Sequence, residues 1–262
     1  MENQNNRKNF TFIVAIAVFV ALTIVRVYFI FSPEGNDTNI RIWAMVYNVT
    51  ALWGALWGLY LSKLWGGYKS VIGRASLIFA LGLLAQAFGQ NVYNYLYATQ
   101  GFDIQPPYPG LGDVGFFGSV ILYIYGAILL ARAAGVSVSL KSFASKIQAI
   151  IIPLILLVGS YMLFLHGYEF DPSSKLRTFL DFGYPLGQAF YVSIAILTLI
   201  LSRNVLGGVM RRPILFFLVA LLIQYFSDFT FLYQVSKGTF VVGGSVDYMY
   251  LLSYFVMAIS LI

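Results

Sequence analysis

Asp228 lies inside the apolar run YFSDFTFLY, flanked by Ser227 and Thr230. An ionisable group within a membrane-spanning segment costs roughly 2.5–3.5 kcal/mol at mid-membrane on insertion scales, so it is a functional candidate by default. Asp113 and Asp247 each open an apolar run, and Asp181 has a similar position. A carboxylate there meets a helix N-terminus, an interaction worth about 0.3–1 kcal/mol, so capping is the simpler role. Arg26 sits near the end of the first run. It is placed to snorkel to the surface, or to pair with Asp228 or Asp247 and neutralise both charges.

A second set of groups is rich in amides and phenols. Gln86, Gln90 and Asn94 recur at i, i+4, i+8 and form one stripe on a helix, with Asn91, Tyr93, Tyr95 and Tyr97 beside them. Asn48, Thr50 and Gln224 add to the set, as do Tyr184, Gln188 and Tyr191. Together they suit a cavity between helices that opens at one membrane face. For any single member the simpler account is an interhelical hydrogen bond of about 0.6 kcal/mol or an interfacial aromatic belt. The first-choice pocket residues are Asp228, Asn91, Arg26, Tyr184 and Gln188, with Gln90, Asp113 and Asp247 around them. His166, the single histidine, titrates between pH 5 and 8 in an ordinary setting. Beside Glu169 and Asp171, solvation is its simplest role.

The elements that must carry these groups are eight apolar stretches, at about 10–31, 42–62, 72–97, 113–132, 146–166, 179–201, 212–234 and 246–262. Most have the 17–25 or so residues that a helix needs to cross a bilayer; barrel strands are about 9–11 and alternate. Hydrophobic residues make up 60% and charged ones 10%, against roughly 25% charged in soluble chains. The amino terminus and the connections after stretches two, four and six hold eleven basic residues and one acid, Glu2. The opposite connections and adjoining helix ends hold four basic residues and nine acids. The positive-inside rule then predicts eight spans with both termini cytoplasmic, in an inner membrane. The net charge of +6 follows from that bias and from contact with anionic lipid. The first stretch is longer than a signal-peptide core and reads as a retained anchor.

Much chemistry is missing. No cysteine is present, which removes disulfides, thiol redox and cysteine metal sites. No lysine lies deep in a span to carry a retinal Schiff base, and no histidine pair suits haem. HExxH, GxSxG, P-loop and DxxD patterns do not occur. The chain holds no catalytic motif, and no cofactor is expected. The expected partners are the bilayer, a small-molecule or lipid ligand and a second copy in a homodimer, without nucleic acid.

Spans three and four resemble spans seven and eight. Aligning Gly101 with Gly238 puts Asn91 opposite Asp228, and a gap of three puts Asp113 opposite Asp247. The preceding loops pair Ser62-Lys63 with Ser202-Arg203 and Gly66-Gly67 with Gly207-Gly208. The expected fold is one all-α membrane domain, 1–262, of two parallel four-helix repeats (about 10–134 and 144–262), with a pseudo-axis along the membrane normal. Gly54 and Gly58 form a GxxxG, and Gly112, Gly115 and Gly118 step down span four, favouring close helix approach. Pro153 and Pro185 fall within spans and are expected to kink them.

Four motifs in order carry a resemblance. They are Pro109-Gly110-Leu111-Gly112-Asp113, then Leu180-Asp181-Phe182-Gly183-Tyr184-Pro185-Leu186-Gly187-Gln188, then Ser227-Asp228-Phe229, then Val246-Asp247-Tyr248-Met249-Tyr250. Over about 40–262 the chain resembles a bacterial multi-span sensor module found ahead of GGDEF/EAL or histidine kinase output domains. Gln188 departs from the usual Asp of that pattern, and Tyr250 stands where Trp is common. The resemblance implies a sensory input module with an extracytoplasmic or membrane-borne ligand, and an output domain beyond Ile262. The rival readings are a small transporter or channel, and a structural partner of another membrane protein.

Overall fold

The computed structural model describes residues 2–31, 36–104, 106–136, 142–166, 174–202 and 211–261. The sequence features at Glu169, Asp171, Arg203 and Gly207-Gly208 lie outside them. The described chain is all-helical: α1 (Glu2–Phe31), α2 (Asn36–Val46), α3 (Val49–Leu64), α4 (Val71–Gln100), α5 (Leu111–Ala133), α6 (Phe143–Ser160), α7 (Lys175–Leu201), α8 (Arg211–Ser236) and α9 (Ser245–Ser260). A 3-10 turn, Gly67–Lys69, precedes α4, and a π-helical turn, Tyr161–Leu165, extends α6. Seven helical segments are long and apolar enough to cross a membrane, the pattern of a multi-pass membrane protein. The eighth apolar stretch forms α9, which has 16 residues.

The second stretch is two helices in sequence. Around Tyr47 and Asn48 the ladder changes period, with Tyr47 N bonded to Trp43 O, Thr50 N to Tyr47 O and Leu52 N to Asn48 O. Both residues at this junction are buried. Ser70 ends the loop before α4 as its cap, accepting from Gly73 N at 2.8 Å while donating to Trp65 O. Gly66 in this loop has φ +87°, a left-handed conformation suited to glycine. Pro153 and Pro185 lie inside α6 and α7, and both helices continue through them.

Six helices close a ring. α3 packs on α4, α4 on α5, α5 on α7, α7 on α8, α8 on α9, and α9 returns to α3. α1 and α6 stand outside this ring, α1 against α2, α3 and α9, and α6 against α7. Both are apolar over most of their length, yet among the described residues α1 buries only Thr11 and Ala15, and α6 only Ser160. Ile13, Ile24, Ile150 and Leu154 are exposed on them. Apolar surface on that scale belongs in lipid rather than water.

Glycines set the closest crossings. A Cβ on Gly54 would come within 2.8 Å of Ala258 Cβ, and one on Gly58 within 2.8 Å of Leu261 Cδ1 and 2.9 Å of Ala80 Cβ. The GxxxG therefore seats α3 against both α9 and α4. A Cβ on Gly89 would meet Gly112 O at 2.9 Å, and one on Gly115 would meet Gly89 N at 2.7 Å. Gly118 has nothing within 4 Å of that position, so the third step of the span-four glycine series is not a contact.

The end of the bundle carrying 101–110 and 237–244 is here called the upper end. Towards the lower end the ring interior is filled by Phe79 stacked on Phe217 at 4.6 Å, with Leu129, Leu130, Leu218 and Leu221 buried. Hydroxyls there bond backbone carbonyls: Thr198 to Ile194 O at 2.7 Å and Ser260 to Met257 O at 2.6 Å on their own helices, and Ser62 of α3 to Gly73 O of α4 at 2.7 Å.

Candidate functional site

The polar centre of the ring is built on Asp228, eight residues before the end of α8, or about 12 Å at 1.5 Å per residue. Its carboxylate accepts from Tyr191 Oη of α7 at 2.9 Å, Tyr250 Oη of α9 at 2.9 Å and Gln224 Nε2, one turn earlier on α8, at 3.1 Å. All three donors are neutral. Gln224 is held by Ser253 Oγ, which donates to its Oε1 at 2.9 Å. Three helices therefore meet on one side chain.

A second amide sits across the ring. Gln86 of α4 donates through Nε2 to Ser119 Oγ of α5 at 2.7 Å and accepts from Tyr254 Oη of α9 at 3.1 Å. Gln86–Ser119 joins α4 to α5 as Gln224–Ser253 joins α8 to α9. Under the alignment that pairs Asp113 with Asp247, Ser119 falls opposite Ser253, while Gln86 and Gln224 are one residue out of step.

The two N-terminal aspartates cap their helices. Asp113 accepts from Gly110 N at 2.8 Å and from Tyr184 Oη at 2.8 Å, so Asp113 and Tyr184 form one unit joining α5 to α7. Asp247 accepts from Gly243 N at 2.6 Å. Gly243 has φ +81°, and a Cβ there would collide with Ile40; only glycine fits this close approach of α2.

Arg26 lies beside Asp247 rather than Asp228. Its guanidinium stands 5.4 Å from the Trp43 ring centroid and 5.0 Å from that of Tyr248, and Nη2 reaches Gly243 O at 3.5 Å. Cation–π contact to two rings replaces the expected ion pair, since no carboxylate comes within 4.0 Å of it among the described residues. Neighbouring contacts fasten α1: Trp43 Nε1 donates to Leu22 O at 2.8 Å, and Phe19 stacks on Phe255 at 4.2 Å. A column of stacked rings then runs inward, from Trp43 to Tyr47 (5.6 Å), Tyr254 (6.1 Å) and Tyr250 (6.1 Å).

Asn91 is exposed and accepts from Asn48 Nδ2 at 3.1 Å. Gln90 accepts from Tyr47 Oη at 3.3 Å and donates to Asn94 Oδ1 at 3.3 Å, while Asn94 donates to Met45 O at 2.7 Å. These amides bind α4 to the α2–α3 junction, apart from Asp228. Gln188 is buried on the α7 face that carries Tyr184 and Tyr191. His166 is exposed at the end of the π-helical turn.

At the upper surface Tyr108 Oη donates to Asp181 Oδ1 at 2.6 Å, with Arg177 Nε 3.9 Å from the same carboxylate. Burial, then the bond to Asp181, pushes the Tyr108 phenol well above its ordinary range. Arg41 and Asp103 pair at 2.9 Å on the other side of the 101–110 connection.

Tyr47, Tyr123, Tyr254 and the two serines are the parts of the centre that sequence reading did not select, and Tyr250 entered it only as a member of the fourth motif. Asp247, Tyr250 and Tyr254 recur at i, i+3, i+7, which places them on one face of α9. That spacing was the available signal. Among the described residues no three His, Cys, Asp or Glu side chains gather to hold a metal. Fold and site define a helical bundle with a six-helix ring around a buried carboxylate. Comparison with known families, characterised proteins and solved structures finds no match.

Proposed function

We propose that the chain is an eight-span signal-input module of a prokaryotic inner membrane, with both termini cytoplasmic and the upper end extracytoplasmic. Its two four-helix halves, about 10–134 and 144–262, are related by a pseudo-axis along the membrane normal. The ring supports that duplication. Spans two, three and four follow one another as six, seven and eight do, and the first span of each half stands outside.

The observation that carries the signalling reading is the hydrogen-bonded centre at Asp228, which ties α7, α8 and α9 through neutral donors. A ligand that enters this centre draws on the same oxygens as those bonds, so it has different affinities for packings that bring α7, α8 and α9 together there and packings that do not. The shift of α8 and α9 that follows is the inward signal. A transporter needs a polar path through the lower half, where Phe79, Phe217 and the leucines fill the ring.

The test is a chimera carrying a diguanylate cyclase reporter behind Ile262, expressed in cells. Asp228→Asn is expected to reset reporter output relative to the unaltered chain, while Lys237→Gln at the surface leaves it alone. Equal output from all three chains, at equal membrane abundance, would sink the signalling reading.

A further inference from the structure

We propose that the centre at Asp228 is a site for one desolvated alkali-metal cation, held by the Asp228 carboxylate and the phenolic oxygens of Tyr123, Tyr191 and Tyr250. This rests on the reading of that centre as the ligand site and names the chemistry of its ligand.

Two independent observations lead there. The first is charge. Among the described residues three aspartates are buried, and two of them, Asp113 and Asp247, bind a backbone N–H at the start of their own helix. Asp228 lies eight residues before the end of α8, with no helix N-terminus to share its charge. No lysine or arginine among the described residues is buried. Three neutral donors distribute the charge of Asp228 without balancing it, and a charge taken from water without a partner is costly.

The second observation is an orphan. Tyr123 of α5 is 1% exposed, and its hydroxyl has no hydrogen-bond partner. Its ring meets edge-on, at 6.0 Å, that of Tyr191, which itself donates to Asp228. A buried hydroxyl left unsatisfied loses roughly 1–3 kcal/mol, so such a group needs an explanation.

One occupant answers both. A phenol that donates to Asp228 keeps oxygen lone pairs free, so Tyr191 and Tyr250 can hold a cation while bonded to the carboxylate. Tyr123 offers its lone pairs uncommitted. The set is all oxygen, the choice of hard cations, and contains a single negative charge. A cation of charge +1 neutralises it; a divalent ion would leave a positive charge in the apolar ring. The stacked rings of Phe79 and Phe217 close the centre from below.

The experiment is thermal unfolding of the full chain in nanodiscs, followed by tryptophan fluorescence. It compares lithium, sodium and potassium chloride with N-methylglucamine chloride at equal ionic strength, each titrated at constant pH. At least one alkali salt is expected to raise the midpoint saturably above the N-methylglucamine value. Asp228→Asn should abolish that rise. Tyr123→Phe leaves the carboxylate and its three donors intact and should reduce the rise. In N-methylglucamine chloride, Tyr123→Phe should unfold no earlier than the unaltered chain, because it removes an orphan rather than a bond.

Identical midpoints in all four salts would overturn the proposal, leaving a water or a proton in the centre. So would an alkali-specific rise that survives unchanged in both variants. The reporter chimera separates the two readings. A cation-dependent midpoint with an unresponsive reporter leaves the site standing without the signalling role. A reporter reset by Asp228→Asn with salt-independent midpoints leaves signalling without this ligand.

Discussion

Tyr250 of α9 donates its phenolic hydrogen to Oδ1 of Asp228 on α8 at 2.9 Å. That bond fastens the last helix of the ring to a carboxylate which has no help from a helix N-terminus. Hydrogen bonds between helices in membranes average about 0.6 kcal/mol and reach about 1.7, while bonds to charged groups are worth about 1.5–3 kcal/mol. A double-mutant cycle of Tyr250→Phe and Asp228→Asn should give a coupling of about 1 kcal/mol or more. Unfolding in mixed micelles measures it, and additive losses would mean that the two side chains act independently.

The twin amide–hydroxyl pairs offer a test of the duplication. Gln86–Ser119 and Gln224–Ser253 bridge corresponding helices at 2.7 and 2.9 Å. Ser119→Ala and Ser253→Ala should destabilise the bundle by similar amounts, about 0.5–1.5 kcal/mol each. A loss confined to one of them would show that the halves no longer share this fastening.

Close helix approach at Gly58 leaves no room for a side chain. Gly58→Val should lower stability by about 1–3 kcal/mol or more through overpacking against Leu261 and Ala80. Gly118→Ala is the control. That glycine faces open space, and alanine gains up to about 1 kcal/mol of helix propensity. Detergent-resistance midpoints of the two variants should therefore move in opposite directions.

Arg26 is held by two flat rings, Trp43 and Tyr248. Lysine keeps the charge but loses the planar stacking, so Arg26→Lys should weaken the docking of α1 by about 0.5–1 kcal/mol. Hydrogen exchange at the α1–α9 contact is the readout. Exchange as slow as in the unaltered chain would mean that Phe19 and Phe255 hold the helix without help from Arg26.

Much of the helical layout was legible in the chain. Apolar runs near bilayer length mark the spans because backbone groups in lipid must be satisfied within each segment. The structure places helix over all eight runs, though α9, with 16 residues, is not among the seven segments long and apolar enough to cross a membrane. Capping by Asp113 and Asp247 was legible for a local reason: a carboxylate at the start of a helix reaches its own backbone N–H groups. The break at Tyr47–Asn48 was not, because both residues sit in apolar context and the turn depends on what they touch. Asn91 shows the same limit. Its type and position matched Asp228 in the alignment, yet it is exposed and bonded to Asn48.

What the sequence by itself determined is therefore local: where helices run, which ends are capped and which polar groups are costly enough to need partners. Tertiary structure decided the partners. Tyr191 and Tyr250 meet at Asp228 because α8 packs between α7 and α9, while Gln224 reaches it from one turn earlier on the same helix. Arg26 faces Trp43 and Tyr248 because α1 docks outside that ring. A helix's period fixes which residues share a face, but not which neighbour the face meets. That choice belongs to packing between helices distant in sequence, where small residues such as Gly54 and Gly58 allow backbones to touch.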